Sequence, residues 1–219
     1  MLRTTRYLTA CFAAGSILLA GASASATTIE RVLEIHFGSD PASGFVTATY
    51  EDNDTAGSVT LTLDTSGLSL STEFVSEWYI NYESSGSTAV GSLVFTYNDG
   101  SSDQEATSIS LGPLDSYQAD GDGRYDIVLG FDTSNDSTDR FNINEVVVYD
   151  ITGTGILASD FDVFSVEEGE QGTYISAAHI QGTAIDSDWL GAVPEPGSVV
   201  LFATGLLVAG VLIRRDRRR

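Results

Sequence analysis

The stretch of the sequence best suited to chemistry is an acidic loop at residues 120–126, DGDGRYD. Calcium takes six to eight oxygen ligands, and alternating aspartates on a glycine-containing loop can turn several carboxylates toward one cation. Asp120, Asp122 and Asp126 are therefore candidate calcium ligands, but the loop matches an EF-hand-like pattern only in part. Asp115 or a more distant residue would have to complete the shell. The other interpretation is a polar turn that leads into a β-strand.

Side chains suited to nucleophilic catalysis are scarce. The two histidines are His36 and His179, and the sequence contains no G-x-S-x-G, H-E-x-x-H or phosphate-binding loop pattern. A grouping of His179 with nearby Ser176 and an acid is conceivable, but a partly buried histidine bonded to the backbone is the simpler interpretation. We therefore predict that the protein is not an enzyme.

A pair of carboxylates is the remaining enzymatic option. Glycoside hydrolases use two acids about 5 to 10 Å apart beside a sugar cleft, and 31 acidic residues make such pairs available by chance. Trp78 together with Tyr79 and Tyr82, or Trp189, could stack on sugar rings. Strand alternation, however, places Trp78, Ile80 and Tyr82 on one face, which favours packing in the core. A carbohydrate-active hydrolase that uses a carboxylate pair is thus the alternative function.

The N-terminal residues 1–26 have the pattern of a secretory signal peptide. Arg3 and Arg6 precede a long apolar run, which ends in alternating alanine and serine. This order of a basic region, an apolar region and small residues predicts export and removal by signal peptidase after Ala24 or Ala26.

The C-terminus has three parts in a fixed order. Val193-Pro194-Glu195-Pro196 is followed by 17 uncharged residues at 197–213, and then by five arginines and one aspartate at 214–219. As a helix the uncharged part would be about 25 Å long, which is the short end of a membrane span. The positive-inside rule keeps the arginine-rich tail in the cytoplasm. The two ends of the chain therefore predict the same topology, with residues 27–192 outside the cytoplasm.

This tripartite C-terminus resembles the PEP-CTERM sorting signal, although Asp216 departs from a uniformly basic tail. The resemblance implies that exosortase, a membrane cysteine protease of Gram-negative bacteria that make extracellular polysaccharide, processes the protein near its Pro-Glu-Pro motif. It further implies a precursor that spans the inner membrane at least transiently and then reaches the cell surface or extracellular matrix, associated with exopolysaccharide or biofilm. The alternative is an ordinary single-span anchor that is never cut.

The charge between the two terminal segments excludes several partners. Residues 27–196 contain three arginines against 30 acidic residues, a net charge of −27. Such a domain is repelled by nucleic acids and by anionic membrane surfaces. Cys11, the one cysteine, lies in the predicted signal peptide, so the exported domain must fold without a disulfide.

The pattern of residues 27–192 predicts one all-β domain with a β-sandwich or jelly-roll-like architecture. In the segment from Val59 to Leu63, apolar residues alternate with threonines, as in a half-buried strand. Clusters of glycine, asparagine and aspartate separate such segments. Short helical turns are predicted at 158–161 or 176–181. The other predicted strands are 29–37, 45–50, 74–82, 93–97, 125–131 and a central strand at 146–151.

Overall fold

A computed structural model of the chain contains β-strands and short 3₁₀ turns and, in the part of the chain it describes, no α-helix. The all-β prediction is confirmed. No helix among these residues is long and apolar enough to cross a membrane. Residues 1–25 and 194–219, which include most of the predicted signal peptide and the predicted span at 197–213, lie outside the described part of the chain. The described residues are 26–37, 43–53, 55–98, 104–135, 138–169 and 172–193.

Fourteen strands and two 3₁₀ turns form within the described residues. The 3₁₀ turns are Val90–Ser92 and Ala158–Phe161. The strands are β1 (Thr28–Leu33), β2 (Ile35–His36), β3 (Val46–Asp52), β4 (Ser58–Asp64), β5 (Phe74–Ile80), β6 (Val94–Tyr97), β7 (Ser108–Leu111), β8 (Tyr117–Ala119), β9 (Asp122–Tyr125), β10 (Ile127–Gly130), β11 (Phe141–Asn142), β12 (Val146–Thr152), β13 (Ser176–Thr183) and β14 (Asp186–Ala192).

The strands form two large open sheets and a separate hairpin. The first sheet has the order β1-β3-β4-β12-β6, and the second has the order β2-β14-β13-β5-β10-β7, with β11 also paired to β5. All of these pairs are antiparallel. Strands β8 and β9 form the hairpin. As predicted from its apolar run, β12 is an interior strand, because it lies between β4 and β6.

Side-chain alternation explains why the two sheets pack into layers. In β4, Val59, Leu61 and Leu63 are fully buried, whereas the threonines between them are half-buried. Trp78 and Ile80 of the second sheet belong to the same buried cluster as these residues. Since one hydrophobic cluster draws on both sheets, the sheets are two layers around one core.

The chain changes sheets at a place where one continuous strand was predicted. Residues 29–37 divide at Glu34 into β1 of the first sheet and β2 of the second. The prediction was wrong here because residues before and after Glu34 have similar strand patterns, and only long-range pairing separates them. A helical turn does form at 158–161, but the alternative at 176–181 is wrong, since these residues belong to β13.

The outer face of the second sheet carries a smaller aromatic cluster. Tyr79 and Ala177 project from the sheet, and Tyr125, Ala119 and Tyr174 pack over them. Because Ala119 and Tyr125 belong to the β8–β9 hairpin, this hairpin is fastened to the sheet by buried apolar surface. The acidic loop 120–126 is thereby placed at the edge of an aromatic surface.

Candidate functional site

The three aspartates of the acidic loop have different surroundings. Asp120 is exposed at the turn between β8 and β9, with a φ angle of 51°. Asp122 is 7% exposed, and its Oδ1 lies so close to Gly169 that a Cβ there would be 1.7 Å away. Asp126 is buried between β9 and β10. Among the described residues no three acidic, histidine or cysteine side chains form a group placed to hold a metal ion. Calcium binding at this loop therefore stays a prediction.

Asp126 connects two segments through its carboxylate. Its Oδ2 accepts a hydrogen bond from the backbone N–H of Tyr82 at 2.9 Å, and its Oδ1 accepts one from the N–H of Asp115 at 2.6 Å. Burial raises the pKa of Asp126, while these two hydrogen bonds oppose the rise. The side chain thus holds the segment after β5 and the turn after β7 in place.

Asp126 also lines a cleft with a volume of about 870 Å³. Three separate segments form its walls: the loop between β5 and β6, the turn after β7, and the stretch that follows the second 3₁₀ turn. The first segment contributes Tyr82, Glu83 and Val90, and the second contributes Asp115. A cleft of this size, mainly apolar and with a few polar groups, is the usual form of a small-molecule site.

The mouth of the cleft exposes large apolar side chains. Leu114 is 62% exposed, and Phe164 and Val166 are each 52% exposed, although all three line the cleft. Single exposed apolar residues are common on protein surfaces, but several around one opening indicate a contact surface. The sequence did not indicate these residues as part of a site. Phe164 and Val166 flank Ser165, but nothing in this local pattern indicates a cleft.

His179 is not part of a catalytic grouping with Ser176. The hydroxyl of Ser176 instead accepts a hydrogen bond from Nε1 of Trp78 at 2.9 Å and donates one to the carbonyl of Tyr79 at 2.7 Å. Nδ1 of His179 lies 2.9 Å from the hydroxyl oxygen of Ser76. Burial lowers the pKa of His179, and the negative charges of nearby acidic residues oppose this. His179 is partly buried, as predicted, but its ring nitrogen lies beside the Ser76 side chain and not beside a backbone group.

Both tryptophans pack against other side chains of the protein. Trp78 is fully buried in the main core, together with Ile80 and Tyr82, as the alternation predicted. Trp189 stacks on the His179 ring with the centroids 4.4 Å apart, and on Phe37 with the centroids 6.2 Å apart. Because protein rings already pack against Trp189, it is poorly placed to stack on a sugar.

His36 and Arg31 occupy structural positions near the ends of the sheets. Nδ1 of His36 lies 2.6 Å from Oδ2 of Asp188 on the neighbouring strand β14. Arg31 makes a bidentate pair with Asp162, with nitrogen–oxygen distances of 2.7 and 2.6 Å. Such forked pairs fix geometry well. These side chains therefore link the strands to each other and to the segment beside the cleft.

Comparison with known proteins identifies the C-terminus. A family model described as the PEP-CTERM protein-sorting motif matches residues 192–219. The chain therefore carries this sorting motif, as predicted from Val193-Pro194-Glu195-Pro196 and the segments that follow. The motif implies an exported, membrane-anchored precursor that exosortase processes. No curated protein and no solved structure matches the chain.

Proposed function

We propose that this protein is an exported β-sandwich protein of the cell surface or extracellular matrix, released from its membrane anchor by exosortase and associated with extracellular polysaccharide. The single observation that carries the proposal is the PEP-CTERM motif at residues 192–219. The order of a signal peptide, one acidic domain and a sorting signal fits a protein whose folded part works outside the cell.

The position of the motif relative to the fold supports processing. The last strand, β14, ends at Ala192, whose carbonyl accepts a hydrogen bond from the N–H of Ile175. Val193 follows and is 40% exposed. The two prolines at 194 and 196 cannot donate backbone hydrogen bonds, which disfavours their joining a sheet or helix. A protease can therefore cut after β14 without breaking the hydrogen bonds of the domain.

The domain itself is proposed to bind rather than to catalyse. A hydrolase would need a second acid, Glu83 or Asp115, to act with Asp126, and these three residues do line one cleft. Both carboxylate oxygens of Asp126, however, accept backbone hydrogen bonds at 2.9 and 2.6 Å. This use of the carboxylate, together with the apolar mouth of the cleft, favours a binding role over acid–base chemistry.

The sorting proposal is tested by the mass of the C-terminus. Wild-type cells and cells that lack exosortase are fractionated, and the protein from each fraction is analysed by mass spectrometry. We expect wild-type protein without residues 214–219 in the surface or matrix fraction, and full-length protein in the inner membrane of the deletion strain. A variant with Pro194→Ala and Pro196→Ala should behave like the deletion strain, whereas the matched control Pro113→Ala should be processed normally. Full-length protein in both strains would contradict the proposal.

The hydrolase alternative has a separate test. The purified protein is incubated with the polysaccharide of its own producer, and new reducing ends are measured. A binding protein releases none. Release that Asp126→Asn and Glu83→Gln both abolish would establish the carboxylate-pair hydrolase instead.

A further inference from the structure

The cleft beside Asp126 combines features that point to a ligand. Its volume of about 870 Å³ lies within the range of small-molecule sites. Leu114, Phe164 and Val166 remain more than half exposed at its mouth, so their burial by a ligand would remove apolar surface from water. An apolar body therefore fits the mouth better than a hydroxyl-rich sugar does.

The charged residues among the described lining of the cleft are all acidic. Three acidic residues, Glu83, Asp115 and Asp126, belong to its lining, and none of the described lining residues is basic. The surrounding stretch 27–196 adds a net charge of −27. An anion is repelled both locally and by the whole domain, whereas a cation is attracted.

The buried carboxylate of Asp126 offers a place where a cationic group could bind. Asp126 is 4% exposed, and each oxygen that accepts a backbone N–H retains a further lone pair. No described residue forms an ion pair with Asp126, and burial of its carboxylate raises its pKa. A cation bound beside it would offset part of the desolvation cost of the charged carboxylate.

We propose that this cleft binds an amphipathic monocation, a molecule with an apolar or aromatic body and one ammonium group. The body packs against Leu114, Phe164 and Val166. The ammonium group lies on the side of the cleft that carries Asp115 and Asp126. This inference goes beyond the proposed sorting and does not depend on it.

The chain offers a closely matched pair of double variants. Leu114 and Asp115 are consecutive turn residues: Leu114 is 62% exposed, and Asp115 has a φ angle of 59°. Ile185, in the turn before β14, and Asp186, the first residue of β14, have the same order, with 60% exposure and a φ of 90° respectively. The test variant is Leu114→Ser with Asp115→Asn, and the control is Ile185→Ser with Asp186→Asn. Asparagine tolerates positive φ, so neither variant should strain the backbone.

Three fluorescent probes share one body and differ in charge: 1-naphthalenemethylamine, 1-naphthalenemethanol and 1-naphthaleneacetate. The full-length chain is placed in phosphatidylcholine nanodiscs, and naphthalene anisotropy is measured against empty nanodiscs. We expect the amine to bind roughly tenfold more tightly than the acid, with the alcohol between them. The test variant should weaken amine binding about tenfold, and the control variant should not change it.

Several results would overturn the inference. These are equal binding of the amine and the acid, a test variant that binds the amine like the control, or the absence of protein-dependent anisotropy with every probe. Asp126→Asn provides a second measurement in the same assay. If the variant keeps the wild-type circular dichroism spectrum, the preference for the amine over the alcohol should shrink, and an unchanged preference would remove Asp126 from the site.

Discussion

Replacing Ser176 by alanine tests the interior of the second sheet directly. Ser176 and Trp78 are both fully buried, and the 2.9 Å hydrogen bond between them satisfies the indole N–H. The substitution leaves this donor without its partner in a place that water does not reach. Leaving a buried donor unsatisfied costs about 1–3 kcal/mol, so we expect a loss of about 2 kcal/mol in the free energy of unfolding. For a domain of this size, the melting temperature should fall by about 4–8 °C.

The assay is urea denaturation of residues 26–193 followed by circular dichroism, with a double-mutant cycle. Trp78→Phe removes the donor and leaves a cavity, so it is destabilising in itself. In that background Ser176→Ala should cost about 1 kcal/mol less than in the wild type, because there is no indole N–H that would lose its hydrogen-bond acceptor. Ser187→Ala on the neighbouring strand β14 is the matched control and should change stability by less than about 0.5 kcal/mol. Equal costs of Ser176→Ala in both backgrounds would refute the assigned hydrogen bond.

Four further predictions concern the backbone, the partly buried histidine, the fold and the acidic loop. Gly182 and Gly121 have similar φ angles, +73° and +77°, but a Cβ on Gly182 would lie 2.0 Å from the Thr72 carbonyl oxygen while one on Gly121 would meet nothing within 4 Å. Gly182→Ala should therefore destabilise the domain by at least about 1 kcal/mol more than Gly121→Ala, and equal melting temperatures would contradict the close contact. In an NMR titration, His179 should have a pKa below 6.5, with His36→Asn used for assignment. Because folding depresses this pKa, the His179 contribution to stability is present above about pH 6.5 and is lost as the pH falls toward the folded-state pKa, so His179→Gln should lose less stability on acidification than the wild type. In the presence of a chelator, residues 26–193 should unfold in one cooperative transition with a β-type circular dichroism spectrum. If the acidic loop binds calcium, calcium should raise the melting temperature more than magnesium does at fixed ionic strength. Asp120→Gly should remove this difference, and Asp186→Gly should not.

The acidic loop shows how far local patterns lead toward a site. The sequence singled out Asp126 from its spacing to Asp120 and Asp122 and named Asp115 as a further candidate, but nothing in the spacing indicated the contact of Asp126 with Tyr82. The contacts of Asp126 depend on how β5, β7 and β10 align in the second sheet. A motif specifies which residues are near along the chain, whereas a site depends on which elements pack together.

The sequence by itself determined the all-β class and the sorting motif, because both are local properties. Period-two alternation sets which side chains of β4 and β12 enter the core. The C-terminal motif is recognised by residue order alone. The negative charge of residues 27–196 likewise follows from composition.

Only the tertiary structure decided the sheet order, the change of sheets at Glu34 and the cleft. Strands β4 and β12 pair across more than 80 residues of chain, and any of several alternating strands could satisfy the same local pattern. The cleft walls come from three segments that are distant in sequence, around residues 81–91, 111–126 and 163–166. Its shape is set by long-range packing of two layers around one core, which the period and composition of a single segment do not report.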